Sequence, residues 1–321
     1  MAMSSSVDVI ICAYTHERWE LLCRAVESVR QQTRPPRHIF VCIDHNDSLF
    51  ARCQQRWPAA VQPVGPPVRV LRNRFAGRLG SARNTAAEQV DSVVTAFLDD
   101  DAEAGPTWLA TLMSVYEGSA AVAVGGAPRP RFETGRPGWF PLEFDWVFGC
   151  HYRGLPESRQ PIEHLIGASM SVRTAALRAV GGFHSDDHDD MDLSHRIAAT
   201  YGAAAVVYEP SAQISHFVPA VRVTWRYFWR RCYTINRGKV RAFADMEEAG
   251  NLAAELRFAR LMVSAVTGRL LRAVRGDGNA LAQAGAIVAG LGAAGLGHLH
   301  GKLDLRRGRL PESLTVGLEP A

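Results

Sequence analysis

The sequence predicts an α/β fold in which a mostly parallel sheet carries helices on both faces and is followed by a helical extension. Three observations carry that expectation. Short β-branched runs alternate with amphipathic stretches through the first half, the pattern of a parallel sheet covered on both sides. Apolar residues within those stretches recur at helical spacing. From residue 217 the composition turns to Arg with aromatic residues, then to long helical text without strand signals.

The strands expected are Val7–Cys12, Ile39–Ile43, Val68–Leu71, Thr95–Leu98, Ala121–Gly125 and Ala205–Tyr208. Between them Trp19, Leu22, Val26 and Val29 read as one helix, Ala82, Ala86 and Val90 as a second, and Trp108, Leu112 and Val115 as a third. From Arg129 to Glu163 periodicity gives way to Pro, Gly and aromatic residues, a long excursion of the kind that often forms a substrate lid. Structure resumes with a short helix at Thr174–Val180, a stop at Gly181-Gly182 and a helix from about Asp190 to Tyr201 capped by Gly202. After His216 come Arg222, Arg226, Arg230 and Arg231 among Trp225, Tyr227, Phe228 and Trp229. A helix then sets Arg257, Arg260, Ser264, Thr267 and Arg275 on one face and Leu256, Leu261, Met262, Val266, Leu270 and Val274 on the other. Residues 278–301 contain no Asp, Glu, Lys or Arg, although Asn279, Gln283, His298 and His300 make a full membrane span the weaker option there.

A chain of 321 residues, 47% hydrophobic and 21% charged, buries a sizeable core, which excludes wholesale disorder. Met1–Ser6 holds no basic residue and the apolar stretch after it is short, so no secretion is expected. The six cysteines form no CxxC pair and read as reduced thiols of a cytoplasmic protein. Charge is uneven: residues 217–321 hold 16 Lys/Arg against 8 Asp/Glu, and the first 216 hold 20 against 24. A basic tail behind an acidic body fits an anionic membrane surface at least as well as nucleic acid.

In open α/β sheets ligands bind at the carboxyl ends of the strands. Asp99, Asp100 and Asp101 follow Val93–Leu98, with Asp99 and Asp101 on one side of the chain. Such a pair can hold a hard divalent cation against a diphosphate, and it can equally be a solvated turn with Asp101 as a cap. Asp44, at the end of the second strand, can accept from a nucleobase N–H while Tyr14 stacks on the ring; each can also be an ordinary turn residue. Gly77–Asn84, with Arg83, suits a close approach to phosphates at a helix start. Asp190 opens a helix whose dipole favours its anion, while Asp187, Asp189 and Asp192 oppose it. A single carboxylate base opposite a leaving diphosphate implies one displacement with inversion. The same acidic segment also reads as a solvated loop or an unrelated His/Asp metal cluster.

Taken in order, Val9-Ile-Ile-Cys-Ala-Tyr, Asp44, Gly77–Asn84, Asp99-Asp100-Asp101, Gly167-Ala-Ser-Met, Gly181-Gly-Phe and Asp189-Asp-Met-Asp-Leu-Ser-His-Arg resemble the family 2 glycosyltransferases over roughly residues 7–240. The resemblance implies a GT-A, Rossmann-like catalytic domain over residues 1–220, with nucleotide-sugar binding to about 125 and acceptor-side elements in 126–220. It implies that Ala13, Tyr14, Glu17, Asp44, Arg83, Asp99 and Asp100 hold the nucleotide sugar. Asp99, Asp101 and His216 would hold Mn2+ or Mg2+, with Asp190 as catalytic base and Gly167, Ser169 and Asp189 on the sugar and acceptor side. Two positions depart from the family pattern: Asp189 replaces a Glu and Ser169 an Asn. The QxxRW signature of processive synthases is absent, which favours transfer of a single sugar.

The function expected is therefore inverting transfer of one sugar from a nucleotide sugar, UDP-linked by the resemblance, to a hydroxyl or a polyprenyl-phosphate-linked glycan in surface-glycan synthesis. Nucleic acid is not an expected partner. The basic region 221–321, with segment 256–301 as its membrane-associating part, would hold the enzyme at the inner face of the cell membrane. The alternatives are a sugar nucleotidyltransferase, for which the loop after the first strand lacks glycine, and a non-catalytic nucleotide-sugar or glycan-binding protein of the same fold.

Overall fold

The computed structural model describes residues 6–59, 65–76, 78–184, 188–242 and 252–308; Gly77, Asp187 and the side chain of Arg257 lie outside what is described. The elements are β1 (Val7–Ala13), α1 (Trp19–Arg30), β2 (Ile39–Ile43), α2 (Asp47–Arg56), β3 (Val68–Arg72), α3 (Leu79–Ala87), β4 (Val94–Asp99), β5 (Ala102–Ala104), α4 (Trp108–Gly118) and β6 (Ala123–Phe132). They continue with β7 (Gln160–Pro161), β8 (Ser169–Arg173), α5 (Thr174–Ala179), α6 (Asp189–Tyr201), β9 (Val206–Val218), α7 (Trp225–Ala242), α8 (Leu252–Val274) and α9 (Gly278–Arg306). Two compact units result. Of the described residues, one comprises the chain to Arg129 with Pro156–His216; the other comprises Pro130–Leu155 and residues 217–308.

The first unit is built on a sheet of order β3-β2-β1-β4-β8-β6-β9-β5. Strands β3, β2, β1 and β4 are parallel, and β8 then joins β4 antiparallel. Both faces are covered, which is why the strands read as unbroken apolar runs. Along β1 the pleat sends Val7, Val9, Ile11 and Ala13 into a layer with Leu22, Val26 and Val29 of α1 and Leu109 and Leu112 of α4. Ile10 faces the opposite layer, with Ala82 and Ala86 of α3, Leu177 of α5 and Leu193 and Ile197 of α6. The strands and helices expected here all form. Helix α2, capped by the Asn46 side chain on the Leu49 N–H, and the short strands β5, β7 and β8 were not legible as elements in the sequence.

In the second unit the Pro- and aromatic-rich excursion supplies core: Phe140 and Phe144 pack on Phe228 of α7, and Phe148 stacks on Phe140. In addition α8 does not keep its expected apolar face wholly inside, although Arg260, Ser264, Thr267 and Arg275 are exposed and Leu261, Met262 and Val266 are buried or half-buried as expected. Arg269, one of the arginines of the basic region 221–321, is buried and forms a two-bond ion pair with fully buried Glu143, at 3.1 and 2.7 Å, and donates to Gln283 at 2.8 Å. Leu270, Leu271, Val274 and Val263 are exposed instead. Helix α9 packs on α7 through small residues. A Cβ at Gly297 would fall 2.1 Å from the Tyr233 carbonyl oxygen, so only glycine permits that approach. By length and composition α9 qualifies as a membrane-crossing helix, but its Ala280, Ala284 and Ile287 side is buried in this unit while Leu281, Val288 and Leu299 are exposed.

Candidate active site

The site lies in the first unit, at the carboxyl ends of β1, β2 and β4. The parallel register sets Cys12 of β1 between Cys42 of β2 and Asp99 of β4, so the segments after these strands converge. Asp44 donates its backbone N–H to the Ala13 carbonyl at 2.8 Å, and the Tyr14 carbonyl accepts from Asn46 Nδ2 at 3.0 Å. The nucleoside-side residues predicted from sequence are thus neighbours: Ala13 buried, Asp44 half-buried, and Tyr14 and Glu17 exposed. Asn73, which sequence reading missed, donates to Asp44 Oδ1 at 2.8 Å and takes the Thr85 hydroxyl at 3.0 Å. It follows β3 directly, so the same strand-end argument applied to the third strand finds it.

The acidic turn splits three ways. Asp99 Oδ1 accepts from Arg83 at 3.1 Å. Asp100 is buried and pairs with Arg18 at 2.8 Å. Burial drives its carboxyl up to about 7 against the pull of Arg18. Asp101 lies between His216 Nε2 at 2.9 Å and Arg18 at 3.2 Å. His216 reaches it because β5 pairs antiparallel with β9 in a register that sets Ala102 against His216. Asp99, Asp101 and His216 each offer one ligand atom, all within 4.8 Å of one another. Two carboxylates and an imidazole fit a divalent cation of the Mn2+ or Mg2+ type. Among the described residues this is the one such cluster.

Arg83 links this turn to the second acidic group. Its buried guanidinium lies against the rings of Phe97 and Phe183 and donates to Asp189 at 2.6 Å, Asp99 at 3.1 Å and the Gly167 carbonyl at 3.0 Å. Arg83 therefore serves a buried ion network rather than an open phosphate loop. Burial raises the Asp189 carboxyl to about 7 despite Arg83, while Asp189, Asp99 and their neighbours hold the guanidinium charged. Asp192 is taken by Arg196 at 2.7 Å. The Asp190 oxygens instead accept from the backbone N–H groups of Gly167 and Met191, both at 2.8 Å, which stabilises the anion. A Cβ at Gly167 would stand 3.2 Å from Asp190 Oδ2 and 3.4 Å from Arg83, so glycine suits that crossing. Asn84 clamps the Gly181-Gly182-Phe183 turn by bonding both the N–H and the carbonyl of Phe183 at 2.8 Å.

Ser169, paired in register with Leu98, turns its side chain into the core. Its side chain is fully buried and its hydroxyl accepts from the Trp108 indole at 2.9 Å. Trp108 makes that demand from α4, a long-range contact that no local motif announces.

A half-parallel sheet with a carboxylate pair and a histidine at one strand end, and a second carboxylate at a helix start beside it, defines a glycosyltransferase of GT-A type. The chain belongs to the glycosyl transferase family 2, whose sequence model matches residues 8–181. It is 31% identical over 240 residues to the glucosyl-dolichyl phosphate glucuronosyltransferase of Haloferax volcanii, covering 70% of this chain and 74% of that protein. Its fold matches the mannosyltransferase PcManGT from Pyrobaculum calidifontis, solved with GDP-Man and Mn2+, with a TM-score of 0.59 at 16% identity over 91% of this chain and 88% of that one. It also matches GalNAc-T7, solved with UDP, GalNAc and Mn2+, with a TM-score of 0.53 at 15% identity over 80% of this chain and 54% of that one.

Replacing Arg83 tests the network. Arg83→Met leaves Asp189 and Asp99 without their buried cation and should cost about 3–5 kcal/mol in chemical denaturation. The carboxyl of Asp189 then rises further above its unfolded value. A raised carboxyl loses stability as pH climbs from the unfolded to the folded pKa, so the deficit should be larger at pH 8 than at pH 5. A deficit below about 1 kcal/mol, equal at both pH values, would contradict the balancing role.

Proposed function

We propose that this glycosyltransferase moves a single sugar from a UDP-sugar to a hydroxyl acceptor with inversion, and that the acceptor is a lipid-phosphate-linked glycan of the cell surface. The observation that carries the mechanism is the difference between the three carboxylates of the α6 start: among the described residues Arg83 claims Asp189, Arg196 claims Asp192, and Asp190 takes backbone donors. In this reading Asp190, which none of these ion pairs engages, is the carboxylate that takes the acceptor's proton as the anomeric carbon is attacked. Gly167, whose N–H orients Asp190, and Asp189 act as its supports.

Ala13, Tyr14, Glu17 and Asp44 hold the nucleoside in this reading, and Asp99, Asp101 and His216 hold a divalent cation. When bound, that cation would neutralise the developing diphosphate charge. A sugar nucleotidyltransferase is set aside by the family, and a purely binding role leaves the arrangement of Asp190 without a purpose. The UDP and GDP-Man ligands of the structural neighbours support a nucleotide-sugar donor, and the name of the Haloferax relative supports a dolichyl-phosphate type of acceptor.

The second unit supports attachment to the inner face of the membrane. Exposed Val263, Leu270, Leu271 and Val274 of α8 lie beside Arg260, Arg272 and Arg275, an apolar strip edged with cations. The partly exposed α9 lies along the surface in this reading instead of crossing it. Leu271 and Val274, 64% and 88% exposed, are the side chains to change. The double substitution Leu271→Glu with Val274→Glu should abolish flotation with phosphatidylglycerol-containing vesicles while nucleotide binding persists. Undiminished flotation removes the membrane role of this strip.

For the chemistry, Asp190→Asn keeps the size of the side chain but removes the proton acceptor. Turnover should fall by roughly two to four orders of magnitude, with UDP affinity unchanged by titration calorimetry. Wild-type turnover in that variant would eliminate Asp190 as the base.

A further inference from the structure

We infer that Arg18 is a resident counter-cation of the acidic turn, which keeps free divalent metal off Asp101 and so makes metal binding depend on the nucleotide diphosphate. This rests on the reading that Asp99, Asp101 and His216 hold the metal. Arg18 ends the 3-10 turn His16–Arg18 that follows β1, and its side chain is 22% exposed. One of its nitrogens, Nη1, lies 2.8 Å from Asp100 Oδ1 and 3.2 Å from Asp101 Oδ2. The other Asp101 oxygen, Oδ1, meets His216 Nε2 at 2.9 Å. Both oxygens of the expected metal ligand therefore face other groups before any metal arrives.

The two aspartates hold Arg18 unequally. Asp100 is buried, its Oδ2 has no hydrogen-bond partner among the described residues, and its Oδ1 takes the shorter contact from Arg18. Removing the guanidinium would leave a buried carboxylate uncompensated, so Arg18 stays on Asp100 when Asp101 turns to a cation. A positive charge then remains beside the metal site in a shielded place, where salt screens it little. It opposes a bare divalent ion. A nucleotide diphosphate brings negative charge that offsets both cations, so metal and nucleotide bind together. Arg18 acts here as a positioning and selectivity residue without touching the reacting atoms.

The test titrates Mn2+ into the full chain, following the free-ion signal by electron paramagnetic resonance with and without UDP. Wild-type protein should bind Mn2+ weakly alone and at least about tenfold more tightly with UDP. In Arg18→Gln, Mn2+ affinity without nucleotide should rise about tenfold and the gain from UDP should shrink, whereas Arg18→Lys should behave as wild type. Unchanged or weaker nucleotide-free affinity in a folded Arg18→Gln variant overturns the inference alone. Should that variant fail to fold, the wild-type titration still decides: equal Mn2+ affinity with and without UDP overturns the inference. Absence of Mn2+ binding even with UDP would instead bring down the metal reading itself.

Discussion

The catalytic unit depends on one buried cation. Arg83, inside the sheet's helical layer, must find anionic partners for its full charge, because an uncompensated guanidinium in that position is far too costly. It finds Asp99 at the end of β4, the Gly167 carbonyl before β8 and Asp189 at the start of α6. Three segments distant in sequence are thereby fixed in one place. The apolar packing around Phe97 and Phe183 supplies the dry setting, and the ion network supplies the geometry.

That network also separates two kinds of carboxylate. On the β4 side, Asp100 and Asp101 are matched by Arg18 and His216, a balance of charge suited to handling phosphate and metal. On the α6 side, Arg83 occupies Asp189 while Asp190 takes backbone donors. The adjacent residues Asp189 and Asp190 thus differ in chemistry because one points at a cation and the other at amides. A helix start makes this possible, since consecutive side chains there diverge and the exposed N–H groups stabilise the anion.

Most of this unit was legible in the sequence because its strands are buried on both faces and its site residues follow strand ends. Asp44, Asp99 and Asp101 were singled out at strand ends, Asp190 at a helix start, and the distant His216 through the family resemblance. What escaped was set by tertiary pairing. Strand β8 alternates polar and apolar residues over only five positions, too short a run to announce itself, and its place is set by pairing with β4 and β6. The buried hydroxyl of Ser169 answers to Trp108, and Arg18, in the loop after the first strand, answers to Asp100. In the second unit, charge alone marked the region of Arg269 as basic, while the fully buried Glu143, 126 positions away in sequence, brought its guanidinium inside. Long-range ion pairs leave no local signal.

The central claim is that the acidic turn and the α6 start do different work, metal and diphosphate on one side of Arg83 and the acceptor's proton on the other. Anomalous scattering from Mn2+ in crystals grown with UDP tests this most directly. The account predicts one strong peak bonded to the Asp101 carboxylate and the His216 imidazole, with Asp190 free of metal. A peak centred on Asp189 and Asp190, or none near His216, would contradict it.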